Sequence, residues 1–426
     1  MNRFVFSPAD ILLYNGENPS AFSVVACDQY TSEPQYWAEV RELVGKHPSA
    51  LHLIFPEADF KTADFDARIM SINVAMTNYL NAGLFSTYPN AIIYTERTLK
   101  NGKIRRGLIG KIDLEEYQYT QGSTSRVRAT EGTVLERIPP RVRIRKNAPL
   151  ELPHVMLLID DASRSIIEPL ESWSQTQDKL YDFDLMMESG HLRGYLLDDT
   201  QKQRVVTALE TLADEEIFFK KYGITGAPVL QYAVGDGNHS LATAKKAYLE
   251  LKERIGVDEA LQHPARYALV EVVNLYDESL EFEAIHRVLF DIEPQRVLNA
   301  LEIAFSPSDT PVPGAHKLTV VQNGEKRTVY LTETAHSLAV GDLQSFLDEY
   351  LKKRPGEVDY IHGEDVVLKL SEQPNTLGFI LEPMKKEELF PSVIVDGALP
   401  RKTFSMGEAC DKRFYWEARK IKQTQE

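Results

Sequence analysis

The chain has 426 residues, 43% hydrophobic and 26% charged, an ordinary globular composition that exceeds what one core usually fills. Its 48 Lys and Arg against 63 Asp and Glu give a formal net charge of −15, which disfavours nucleic-acid backbones and anionic membrane surfaces as partners. No apolar run approaches the roughly 20 residues that span a bilayer, the opening Met1-Asn2-Arg3-Phe4-Val5-Phe6 lacks a signal-peptide core, and two distant cysteines, Cys27 and Cys410, make no disulfide framework, so a cytoplasmic protein is expected.

In chain order, Phe22 to Cys27 reads as a buried strand ending in the polar turn that begins at Asp28. Phe65, Ile69, Ile72, Met76 and Leu80 recur at three- and four-residue steps before Gly83, predicting an amphipathic helix. Ala91 to Leu99 and Ile104 to Leu114 form a hairpin across Asn101-Gly102. Val155 to Asp160 reads as a central strand, and Leu180 to Leu185 pairs with His191 to Leu197 across Ser189-Gly190. One long helix is expected over Gln201 to Tyr222, closed by Gly223. Strand Val229 to Val234, a glycine turn and helix Leu241 to Ile255, stopped by Gly256, come next, followed by strand Arg266 to Tyr276. Beyond Pro294 stand a second hairpin at Asn323-Gly324, helix Asp342 to Lys353, strand Leu377 to Leu381 and a basic tail. The irregular alternation predicts a mixed α/β (α+β) fold of mixed sheets with hairpins flanked by helices. Three lobes are expected, over 1–150, 151–293 and 294–426.

The turn Gly235-Asp236-Gly237-Asn238-His239-Ser240 carries the most chemical information. Leu241, Ala244, Ala247, Leu251 and Ile255 make one apolar stripe, so a helix starts just after the glycines. Unpaired N–H groups and a partial positive charge at that start suit a phosphate, and a bare Gly237 would leave them open. Asp236 could hold Mg²⁺ or accept a proton, and His239 could donate to a phosphate oxygen. A plain helix cap, with His239 exposed, is the competing reading. Neither a P-loop nor a full dinucleotide fingerprint is present. Asp28 and Gln29, at a strand end, are candidate substrate contacts. Cys27 beside Asp28 is a candidate reactive thiol. Glu131 lies among Arg126, Arg128, Arg137, Arg141, Arg143, Arg145 and Lys146; it is either a surface ion-pair partner or a general base, with Arg126 or Arg128 clamping phosphate.

The turn, through Ala244, resembles the Asp-Gly-His-His-Arg block of the domain-of-unknown-function family 1015. Other blocks agree in order: Ala26-Cys27-Asp28-Gln29-Tyr30, Arg128-Ala129-Thr130-Glu131-Gly132-Thr133, Ile285-His286-Arg287-Val288 and Leu399-Pro400-Arg401-Lys402-Thr403-Phe404. The turn is also similar to one in the ParB, sulfiredoxin and free-serine-kinase superfamily, which implies a nucleotide-phosphate contact there. Asn238 stands where that pattern has a His, and Ser240 where it has a phosphate-pairing Arg; Arg287 and Lys402 are candidate substitutes. The resemblance implies a nucleotide-dependent phosphotransferase acting on a small hydroxylated metabolite, serine among the options, with Mg²⁺ and ATP or ADP. Asp236, His239 and Glu131 are then catalytic. Gly235, Gly237, Asn238, Ser240, Arg126, Arg128, His286, Arg287, Arg401, Lys402 and Thr403 bind the phosphates, and Arg401 to Thr403 form either an exposed tail or a lid. The alternative is a non-catalytic nucleotide-binding switch; a DNA-binding adaptor is a third reading that the acidic total opposes.

Overall fold

Gly102 takes up a φ of +83° in the Asn101-Gly102 reversal, a conformation glycine adopts without steric cost. It joins strands Ile93–Thr98 and Ile104–Asp113, which pair antiparallel from Ile93 opposite Ile109 to Thr98 opposite Ile104. This hairpin sits within a ten-stranded mixed sheet in the computed structural model, which describes residues 4–61, 64–120 and 122–423. The order across the sheet is Tyr181–Asp184, His191–Leu196, Ile93–Thr98, Ile104–Asp113, Tyr267–Asn274, Met156–Ile159, Tyr232–Asp236, Val127–Ala129 and Tyr117–Gln118; Phe6–Ser7 adds to Ile104–Asp113. Met156–Ile159 runs parallel to Tyr267–Asn274 but antiparallel to Tyr232–Asp236, so the sheet is mixed, as the irregular alternation predicts. A separate four-stranded sheet joins Phe85–Ala91, Ala9–Tyr14, Glu417–Lys420 and Leu150–Glu151.

The chain forms two compact units, Met1–Leu280 with Glu408–Glu426, and Glu281–Gly407. This differs from the three expected lobes, because strands on both sides of residue 150 share one sheet and the residues after Gly407 rejoin the first unit. Two large cores and a smaller one around Ile138, Val142 and Ala242 stand among the described residues of the first unit. One large core gathers Leu12, Phe22, Trp37, Phe55, Ile72 and Trp416; the other gathers Phe6, Tyr94, Leu157, Tyr232, Leu241 and Tyr248. The second unit is built on an antiparallel five-stranded sheet ordered Glu325–Leu331, His316–Gln322, Leu377–Ile380, His286–Phe290 and Glu357–Ile361, with its own core around Leu289, Leu343 and Phe379.

Two expected elements differ. The segment Phe22 to Ala26 is buried and Cys27 half-buried, but the segment makes only a single bridge, Val25 to Phe414. Asn18 and Pro19 start a short helix, Pro19–Phe22, whose first turn is capped by the Asn18 side chain. The long helix divides into Asp199–Thr211 and Glu215–Tyr222, because Asp214 accepts from the Ile217 N–H and starts a second helix in place of continuing the first. No helix among the described residues is long and apolar enough to cross a membrane.

Candidate functional site

Tyr232, Ala233 and Val234 are apolar and fully buried, and they hold the Tyr232–Asp236 strand between Met156–Ile159 and Val127–Ala129. Its register against Met156–Ile159 shifts between Val234 and Asp236, so the irregularity falls at Gly235; such a bulge re-aims the residues after it. Gly237, at φ +78°, then turns the chain into the helix Asn238–Ile255. That helix starts without a side-chain cap, leaving its first N–H groups and the positive end of its dipole to other partners. A Cβ on Gly237 would lie 3.0 Å from Val155 Cα and 3.2 Å from its Cγ2. The expected opening at Gly237 is therefore corrected: the glycine is buried, and its bareness lets the turn pack on His154 and Val155. The open side of the helix start lies two residues further on. His239 and Ser240 line a cavity of about 140 Å³ whose polar wall includes Asp28, Glu57, Arg141, His154 and Tyr415.

Asp236 accepts from the Gly237 N–H at 3.0 Å through Oδ1. Its Oδ2 is buried without a hydrogen-bond partner, and Lys412 Nζ stands 3.6 Å away. Asn238 Oδ1 is likewise buried and without a hydrogen bond. A buried acceptor left in this state costs about 1–3 kcal/mol, so both atoms are suited to a ligand that satisfies them.

His154 lies beneath the cavity. Its Nδ1 contacts the Tyr415 hydroxyl at 2.8 Å and its Nε2 lies 3.5 Å from Asp28 Oδ2. Burial alone would depress the imidazole, but the Asp28 carboxylate, helped by Asp236 and Glu57, raises its pKa above the usual value. Burial likewise opposes ionisation of Asp28, yet His154 overrides it and holds the carboxyl well below the usual range. Each partner thus favours the charged form of the other. His239 is the opposite case. Burial, with Arg141 and Arg137 adding repulsion, lowers its pKa to about 4. At neutral pH it is uncharged, accepts from the Val134 N–H at 3.3 Å through Nε2, and carries its proton on Nδ1. It can donate to a phosphate oxygen but does not offset phosphate charge. Burial pushes the Cys27 thiol up to about 12, which removes it as a reactive thiolate.

A family model described as protein of unknown function (DUF1015) matches residues 6–350. The chain belongs to that family. No curated protein matches it. Among solved structures, the DUF1015 chain is similar to a conserved hypothetical protein from Pyrococcus furiosus, at 12% identity and a TM-score of 0.35 over 73% of this chain and 94% of that one. It is also similar to a free serine kinase in complex with AMP, at 11% identity and a TM-score of 0.38 over 73% of this chain and 90% of that one. A free serine kinase variant in complex with ADP gives 10% identity and a TM-score of 0.39 over 75% and 93%.

The site brings together Asp28, Asp236, Asn238, His239 and Ser240 of the residues picked out from the DUF1015 sequence. Gln29 supports Asp28, donating to its Oδ1 at 3.0 Å. Thr130 Oγ1 donates to the Val234 carbonyl at 2.7 Å, Ala129 is level with Val234 in a parallel pairing that ends there, and Glu131, two residues on, is half-buried. Arg128 is not the expected phosphate clamp. It is buried and its guanidinium donates to the carbonyls of Ser125, Pro228 and Val229. Arg126 pairs with Glu210 at 2.6 Å, and both line a different hollow. His286, Arg287, Arg401, Lys402 and Thr403 all belong to the second unit. There Arg287 is fully buried, donating to the carbonyls of Ile285 and Arg401 and to Gln344, while Arg401 donates to the Tyr360 hydroxyl at 2.8 Å. Thr403 donates to the Pro400 carbonyl at 2.7 Å.

Sequence reasoning missed His154, Glu57, Lys412 and Tyr415. His154 had a signal: it stands just before the buried strand Met156–Ile159, and functional groups often sit where loops meet strands. Lys412 and Tyr415 had none, because only the fold carries the basic tail back to the glycine turn.

Proposed function

We propose that this chain is a nucleotide-dependent phosphotransferase acting on a small hydroxylated metabolite. The carrying observation is Asp236 Oδ2, buried without a hydrogen bond beside Lys412 and the uncapped start of the Asn238–Ile255 helix. Nucleotide phosphates would lie against the N–H groups of that start, with Lys412 supplying positive charge and His239 donating from Nδ1. The substrate oxygen bonds to the terminal phosphorus as the bond to the leaving nucleoside phosphate breaks, and the hydroxyl proton passes to Glu131. Asp236 would hold Mg²⁺, which supplies charge neutralisation on the phosphates when bound. Among the described residues no group of three or more His, Cys, Asp or Glu could hold a metal ion; Asp236 would be a single protein ligand, in the way Mg²⁺ commonly uses one carboxylate plus phosphate oxygens.

Asp236→Asn is expected to lower phosphoryl transfer at least a hundredfold while the circular dichroism spectrum stays that of the wild type. ATP and ADP serve as donors with a pool of hydroxylated metabolites, read by mass of the phosphorylated product. Transfer at the wild-type rate would remove Asp236 from the chemistry. The commitment of Arg128 to backbone carbonyls leaves one expected cation fewer for transfer and favours a second reading, a nucleotide-binding switch without turnover. Nucleotide-dependent thermal stabilisation with no phosphorylated product identifies it.

A further inference from the structure

The cavity beside His239 does not end at its polar wall. It continues into a chamber lined by Leu53, Phe55, Phe60, Met76, Ile144 and Leu269. Phe55, Phe60 and Phe65 pack ring against ring with centroids 4.8 to 5.4 Å apart, so one side of the chamber is an aromatic cluster.

Each carboxylate around the chamber faces a cation. Asp28 faces His154, Glu57 pairs with Arg141, and Glu151 pairs with Arg145 at 2.5 Å. No unbalanced ion among these residues waits for a charged group inside. The whole cavity, charged wall included, holds about 140 Å³, on the scale of the ~150 Å³ that accommodates a benzene ring. A serine side chain would leave most of that space unfilled, and apolar walls gain nothing from a hydroxymethyl group. A purine would bring several ring nitrogens to walls with few donors to meet them.

We infer that the substrate of this site is an alcohol carrying an uncharged, ring-sized apolar group, which fills the Phe55–Met76–Leu269 chamber while its hydroxyl faces Asp28 and the start of the Asn238–Ile255 helix. This rests on the phosphotransferase reading only for the fate of the hydroxyl; occupancy of the chamber is independent of it.

The test is a titration of the full chain with benzyl alcohol, followed through the methyl resonances of Met76 and Ile54, with glycerol and serine as polar controls. Saturable shifts at both methyls, at an apparent affinity at least tenfold above that for glycerol or serine, are expected. Ile144→Trp, which enlarges a lining side chain of the chamber, should abolish them. Should that variant fold poorly, the wild-type titration decides alone. An equal response to glycerol, or no saturable shift at Met76, overturns the inference. Bound benzyl alcohol that is never phosphorylated would sink the phosphotransferase reading and leave the chamber assignment standing. Phosphorylation of serine with no response at Met76 would do the reverse.

Discussion

His154 is the residue whose state is set most completely by its surroundings. It is buried, its ring spans Asp28 and Tyr415, and its pKa is raised, so the folded protein holds a proton that the unfolded chain releases near pH 6.5. A raised value means stability that is fully present below the unfolded pKa and lost as pH climbs through the folded one. Asp28, held low, sets the other limit: its contribution exists above the usual carboxylate pKa and fades as pH falls further. His154→Gln should therefore cost about 1–3 kcal/mol at pH 5 and much less at pH 9, read from thermal melts at the two values. Equal losses at both would show that the ring acts by shape alone. His239 shows what a sequence withholds at this scale. Its position beside the glycine turn is legible, but its neutrality depends first on burial and then on Arg141 and Arg137, which arrive from elsewhere in the chain.

At the scale of elements, the strand–turn–helix unit was legible because each boundary has a local cause. An apolar run buries the strand, Gly237 turns the chain, and Gly256 ends the helix with its N–H on the Lys252 carbonyl. The break at Asp214 was hidden because the apolar pattern runs through it, and only the capping bond to Ile217 decides the matter. The role of Gly237 was misjudged for a related reason: spacing shows that a side chain is missing but not what fills the gap. Gly237→Ala would force a left-handed φ of +78° on alanine, costing about 1–2 kcal/mol, and press its Cβ against Val155. We expect a loss of about 2–3 kcal/mol in denaturant unfolding. A loss below about 0.5 kcal/mol would show that the turn relaxes freely.

Over the whole molecule, composition and length pointed to more than one core, and the mixed sheet followed from irregular alternation. Pairings across hundreds of residues did not show. Glu417–Lys420 pairs with Ala9–Tyr14, and Phe414, Tyr415 and Trp416 are buried in the first unit. Arg413 pairs with Glu271 and Glu417, and Arg419 with Glu151, all buried. Losing three buried aromatics, at about 1.5–3 kcal/mol each, already rivals the 5–15 kcal/mol typical of a domain. A chain truncated after Gly407 should lose the cooperative melting transition of the first unit, monitored by tryptophan fluorescence from Trp37 and Trp173. A transition within 5 °C of the wild type would mean that the last residues are dispensable.

The same return of the chain sets an order of events during translation. Lys412 and Tyr415, which complete the wall around Asp236 and His154, are synthesised only after all of Glu281–Gly407 has been made. Until then the apolar chamber lacks its last side, so a nascent chain presents greasy surface to chaperones for as long as the intervening unit takes to make.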